Sequence, residues 1–206
     1  MNWAYHLYIL QLPAIIIAMG IHESVKAHVS TKLGDTTPKL RGRLTLNPLK
    51  HVEIIGLLLM LFFGYGWSQP TPVNPSMYRD YQKGVLATFM APMLFNIVIG
   101  IALALVGQAL NPFAGQAPIL ANLLVFIQLL ARYCVALAIF NLIPVYPLDG
   151  ARLLSLVLSP NARVKASHYE KVFLMILVIL LFLGIVGQLL DPVVNAILGG
   201  AGSAWR

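Results

Sequence analysis

Four long apolar runs, separated by stretches of very different character, set the layout of this chain. The first begins at Tyr5, is apolar to about Met19, carries Pro13 where a kink is expected, and continues as helix through Lys26 to Val29. Val85 to Leu110, Leu123 to Ile143 and Val172 to Leu190 follow. At 1.5 Å per residue each is long enough to cross the ~30 Å hydrocarbon layer of a bilayer. A shorter run, Ile54 to Phe63, covers only about half that thickness before Gly64-Tyr65-Gly66-Trp67, and it reads as a re-entrant segment. Between the first run and this one, Arg43-Leu44-Thr45-Leu46-Asn47 alternates directly after Gly42, the pattern of a short strand or hairpin. Further on, the prolines of Gln69-Pro70-Thr71-Pro72-Val73-Asn74-Pro75 hold the chain extended, so that it could pair edge-on with another chain. The expected fold is therefore an all-α integral membrane protein forming a single domain over 1–206. It has about four transmembrane helices, one short re-entrant segment and a small β-hairpin on the cytoplasmic side.

Composition agrees. Only 10% of the 206 residues are charged and 59% are hydrophobic, with a mean hydropathy of +0.80. A soluble domain carries about 25% charged residues. The net charge of +7 does not indicate nucleic acid, because the basic residues form no separate face and flank the apolar runs instead. Lys32, Lys39, Arg41, Arg43 and Lys50 occupy one connection, Arg79 and Lys83 a second, and Arg152, Arg163, Lys165 and Lys171 a third, whereas Asn111 to Pro118 has no charge. The positive-inside rule places the basic connections in the cytoplasm and both termini outside, for a multi-pass protein of the cell membrane. Met1 to His6 lacks a basic n-region, so the first run is expected to be retained, with interfacial anchors, and not cleaved as a signal peptide. Cys134 lies alone within an apolar run and reads as a small buried hydrophobe. No repeat or linker appears, and a PDZ or CBS-type appendage would need far more polar residues.

Candidate chemistry lies at the end of the first run, in Ile21-His22-Glu23-Ser24-Val25-Lys26-Ala27-His28. In H-E-x-x-H two histidines one helical turn apart grip a zinc ion, while the glutamate activates a bound water. Here His22 and Glu23 are in place and Lys26 stands where the second histidine would be. An ammonium cannot ligate a metal while it keeps its proton. Ionisable groups at membrane depth are costly and point to function. His28 lies about 240° around the helix from His22, and His6 and His51 are expected at the interface. Asp149, after the helix-breaking Pro144 and Pro147, is the candidate third ligand, or alternatively a turn aspartate capping the next helix.

Several motifs together resemble the bacterial site-2 protease family. They are His22-Glu23; Leu33-Gly34-Asp35 with Thr37-Pro38-Lys39; Gly42-Arg43-Leu44-Thr45-Leu46-Asn47-Pro48 with His51; Pro70-x-Pro72-Val73-Asn74; and Phe140-Asn141-Leu142-Ile143-Pro144 with Pro147-Leu148-Asp149-Gly150. The resemblance implies an intramembrane zinc metalloprotease of the peptidase M50 type, acting near the cytoplasmic face on the transmembrane helix of a single-span regulatory substrate. It also implies His22 and Asp149 as zinc ligands, Glu23 as general base and Asn141 close to the same site. Asn141, Asn96, Pro72 and Asn74 are the expected substrate contacts. The chain departs from the family at Lys26, and at Ala91-Pro92-Met93-Leu94-Phe95-Asn96, where the family's Ala-Gly-Pro-x-x-Asn lacks its glycine and has its asparagine displaced by one residue. Asn96 alternatively reads as a polar residue hydrogen-bonded between helices. Two functions follow: a zinc endopeptidase, or a pseudoprotease that binds or sequesters a membrane partner without cleavage. In the second, the Lys26 ammonium neutralises Glu23 and Asp149 in the metal's place; alternatively it snorkels to the interface and leaves the pocket empty.

Overall fold

The computed structural model describes residues 3–199, with the side chains of residues 3–7 and 160 outside that description. The side chains of Trp3, Tyr5 and His6, expected as interfacial groups, thus lie outside the described residues. All regular structure among the described residues is helical: α1 (Trp3–Lys32), α2 (Thr37–Leu40), α3 (Ile54–Phe63), α4 (Tyr81–Leu110), α5 (Pro118–Phe140), α6 (Asp149–Leu154), α7 (Pro160–His168), α8 (Glu170–Phe182) and α9 (Ile185–Ile197), with short 3-10 turns between some of them. Three of these helices, α1, α4 and α5, are long and apolar enough to cross a membrane. They pack on one another as a three-helix bundle. Small residues let them approach: a Cβ on Gly100 of α4 would lie 2.5 Å from Val135 Cγ2 and 2.9 Å from the Ala131 carbonyl of α5. Cys134 is fully buried at the same contact.

The last run can make the expected fourth crossing only as a bent pair. It divides into α8 and α9, whose axes differ by 76°. The break falls at Leu183-Gly184, where Gly184 has φ +72°, a conformation that costs glycine nothing. Both sides of the break are apolar, so hydropathy alone reads straight through it. α3 ends at Gly64 in the left-handed region, φ +81°, and the chain then turns back along it. A Cβ on Gly56 would stand 1.9 Å from the Trp67 carbonyl oxygen, so the return path needs glycine there.

The expected β-hairpin is absent: no strand occurs among the described residues. The alternating Arg43 to Asn47 segment has its backbone groups engaged elsewhere. Arg43 and Leu44 N–H donate to the Pro38 carbonyl, and the Thr45 carbonyl accepts from Ser24 Oγ at 2.9 Å and from His51 Nε2 at 3.0 Å. His51 is fully buried within the fold. Burial holds its imidazole below the ordinary histidine value against the opposing Thr45 bond, which suits a neutral ring donating from Nε2.

Asp35 ties this connection to the returning chain. Its carboxylate accepts from Thr37 N–H, Ser30 Oγ and Asn74 N–H, each at 2.8 Å. Burial alone would raise this carboxyl; the bonds from Thr37, Asn74 and Ser30 outweigh it and hold the group below the ordinary aspartate range. A carboxyl lowered by folding contributes stability above its unfolded pKa, and that contribution is lost as pH falls through the lower, folded value. Asp35→Asn should therefore cost about 1–3 kcal/mol at pH 7. Melting curves of both proteins should converge as pH drops below ~3.9.

Candidate functional site

One turn of α1 carries His22, Glu23 and Lys26 on its buried face, all at 2% exposure or less. α6 supplies Asp149 from the opposite side. The chain between α5 and α6 is folded by Asn141, whose carbonyl accepts from Gly150 N–H at 2.7 Å and whose Oδ1 faces the Asp149 N–H at 3.4 Å. Asn141 Nδ2 in turn donates to the Leu137 carbonyl at 2.8 Å. Gly150 is required here, since a Cβ would sit 2.4 Å from the Leu142 carbonyl oxygen. Asp149 does not cap α6 with its side chain; Leu148 holds the cap position and the carboxylate points to α1.

Two residues 127 positions apart thus meet in the bundle. His22 Nε2 lies 3.0 Å from Asp149 Oδ2. Lys26 Nζ lies 2.7 Å from Asp149 Oδ1 and 2.8 Å from Glu23 Oε1, and stands 5.9 Å from the centre of the Phe89 ring. Glu23 is further held by Ser68 Oγ on Oε1 and by Thr71 N–H on Oε2, both at 2.7 Å. The lysine therefore bridges the two carboxylates, with a charge-assisted bond to each. A carboxylate can only accept, so an ionised Asp149 assigns the Nε2 proton to His22 and occupies the nitrogen aimed at it. His22 Nδ1 has no partner among the described residues.

These donors do not make a metal cage. Among the described residues no group of three or more His, Cys, Asp and Glu is disposed to hold a metal ion. A cation placed between Glu23 and Asp149 would meet the ammonium already bonded to both. His28 cannot supply the missing ligand: it is exposed, and its Nδ1 donates to the Ser24 carbonyl at 2.7 Å. Buried Asn96 makes no interhelical hydrogen bond, and neither of its amide atoms has a partner among the described residues.

The extended stretch expected to meet partners is bonded to the bundle at three backbone N–H groups. Gln69 N–H donates to the His51 carbonyl, Thr71 N–H to Glu23 and Asn74 N–H to Asp35. Over residues 69–72 the backbone alternates, so Pro70 and Pro72, both exposed, face away from the bonded edge and offer no N–H there, and the chain returns to the bundle at Asn74. Ser68 and Thr71 were not foreseen as site residues. Their signal was slight: small hydroxyl side chains in a polar, proline-rich connection. Arg132 and Asp191 were also missed, although a charge within an apolar run is a legible sign. Arg132 donates to Asp191 Oδ1 at 2.7 Å, and the Tyr65 hydroxyl donates to the same oxygen at 2.7 Å.

The comparisons with known proteins bear on the same elements. The model of "Peptidase family M50" matches residues 10–184, from α1 to the break between α8 and α9. The chain is 32% identical over 185 residues to a Bacillus subtilis (strain 168) protein described as "Putative zinc metalloprotease YwhC", covering 88% of this chain and 84% of that one. No solved structure matches. The matched region includes every residue of the His22, Glu23, Lys26 and Asp149 cluster, and the chain belongs to peptidase family M50, the site-2 protease family of multi-pass membrane proteins.

Proposed function

We propose that this chain keeps the scaffold of an intramembrane metalloprotease and uses it to bind a membrane partner helix without cutting it, with the Lys26 ammonium in the place of the zinc ion. The observation that carries this reading is the double ion pair of Lys26 with Glu23 and Asp149. Catalytic zinc sites use three protein ligands and an open position for water. Here the second histidine position holds a cation, His22 is turned to Asp149, and both oxygens of Glu23 accept hydrogen bonds. A general base must reach a water, and Glu23 already accepts from Lys26 and Ser68 on Oε1 and from Thr71 N–H on Oε2, which leaves one acceptor site on Oε2. The partner is a single-span membrane protein approaching from the bilayer, meeting the chain near Pro72 and Asn74 on the side whose basic connections favour the cytoplasm.

A second reading, favoured by the likeness to YwhC, is a zinc endopeptidase in which His22 and Asp149 hold the metal and Glu23 is the base. It requires Lys26 to leave both carboxylates. The two separate when the full chain is reconstituted with a single-span reporter helix and zinc. The wild type is expected to leave the reporter intact, and Lys26→His to gain cleavage that a further Glu23→Ala change removes. Cleavage by the wild type that Glu23→Ala abolishes would establish the enzyme instead.

A further inference from the structure

We infer that the groove between α1, α4 and residues 46–48 is a phospholipid site that seats an acyl chain along its length and an anionic headgroup at its basic end. One stripe of α1, Ile17, Ile21, Val25 and Lys32 among its members, forms the wall, with Ala91 and Phe95 of α4 opposite. The polar cluster occupies a different face of the same helix: His22, Glu23 and Lys26 are buried, while Val25 is half-buried and His28 and Lys32 are exposed. From Ile17 to Lys32 the stripe runs about 22 Å, roughly three-quarters of the ~30 Å hydrocarbon layer. Apart from Ser24, whose hydroxyl is bonded to the Thr45 carbonyl, its lining is apolar until the final turn, which carries His28 and Lys32.

Size and charge decide the occupant. The groove holds about 740 Å³, within the range of small-molecule sites. The connection that follows Lys32 adds Lys39, Arg41 and Lys50, none in an ion pair among the described residues. Its one acid, Asp35, is buried and hydrogen-bonded inward. An apolar trough opening onto uncompensated cations at the membrane surface matches a lipid with a negative headgroup. The inference stands whether or not the chain cleaves a partner.

The test uses the full chain with a photo-crosslinking amino acid at position 25, irradiated in vesicles of phosphatidylcholine with phosphatidylglycerol. Intact mass should show a phospholipid adduct, with about a fivefold preference for phosphatidylglycerol at equal amounts. Ala91→Trp, which fills the trough, should abolish the adduct. Lys32→Glu, at an exposed position that makes no ion pair among the described residues, should keep the adduct and lose the preference. An adduct with a polypeptide, an adduct undiminished by Ala91→Trp in a protein of unchanged melting temperature, or a preference that survives Lys32→Glu would each overturn the inference.

Discussion

Lys26→Met is expected to lower the stability of the folded protein by about 3–5 kcal/mol, measured by unfolding of the purified chain in mild detergent. Methionine nearly matches the volume of the lysine stem, so packing changes little and the loss reports on charge. What remains is two carboxylates, each within 3 Å of the ammonium in the natural chain and now without it, at a depth where neither has water. The decisive comparison is the double variant. Removing one carboxylate as well, in Lys26→Met with Glu23→Gln, should recover part of the loss, because the uncompensated charge is halved. Glu23→Gln alone should also destabilise, since it frees Lys26 from one of its two partners. A Lys26→Met variant within about 0.5 kcal/mol of the natural chain would mean that the ammonium makes no net contribution and snorkels outward in solution.

Arg132→Met should destabilise by about 2–3 kcal/mol. Arg132 lies eight residues before the end of the 23-residue α5, about 12 Å along the helix, which places it inside the hydrocarbon layer. Its removal leaves Asp191 with the Tyr65 hydroxyl alone. The effect is smaller than at Lys26 because Asp191 is 38% exposed at its side chain, and an exposed pair is worth less than a buried one. Asp191→Asn in the same background should restore most of the loss. The pair joins α9 to α5 just past the bend at Gly184, so Arg132→Met should also raise proteolysis or hydrogen exchange in α9 before the rest of the bundle.

Much of the fold was legible because a bilayer demands long apolar helices, and α1, α4 and α5 correspond to long apolar runs. α3 occupies Ile54–Phe63 as its short run predicts. The hairpin was misread because Arg43 to Asn47 alternates like a strand, yet its partners are a helix side chain and a buried histidine. Alternation reports which faces are buried, not what buries them. The bend at Gly184 was hidden for a related reason: a glycine in an apolar run looks the same whether or not its φ is positive. In the site, His22, Glu23 and Asp149 could be named from motif residues, and the proximity of Lys26 to Glu23 from helical spacing. The pairing of Lys26 with Asp149 was one of two alternatives the sequence left open, and the break at Pro144 to Pro147 that allows it was legible from the prolines. That Ser68 and Thr71 close around Glu23 depends on the path of the chain after Gly64, which no local pattern reports.

Zinc content of the purified chain addresses the role of Lys26 most directly. Protein isolated from zinc-supplied cells without chelator, and measured by elemental mass spectrometry, is expected to hold well under one zinc per chain, while Lys26→His approaches one. One zinc per natural chain, lost on His22→Ala and on Asp149→Ala, would contradict a lysine standing in for the metal.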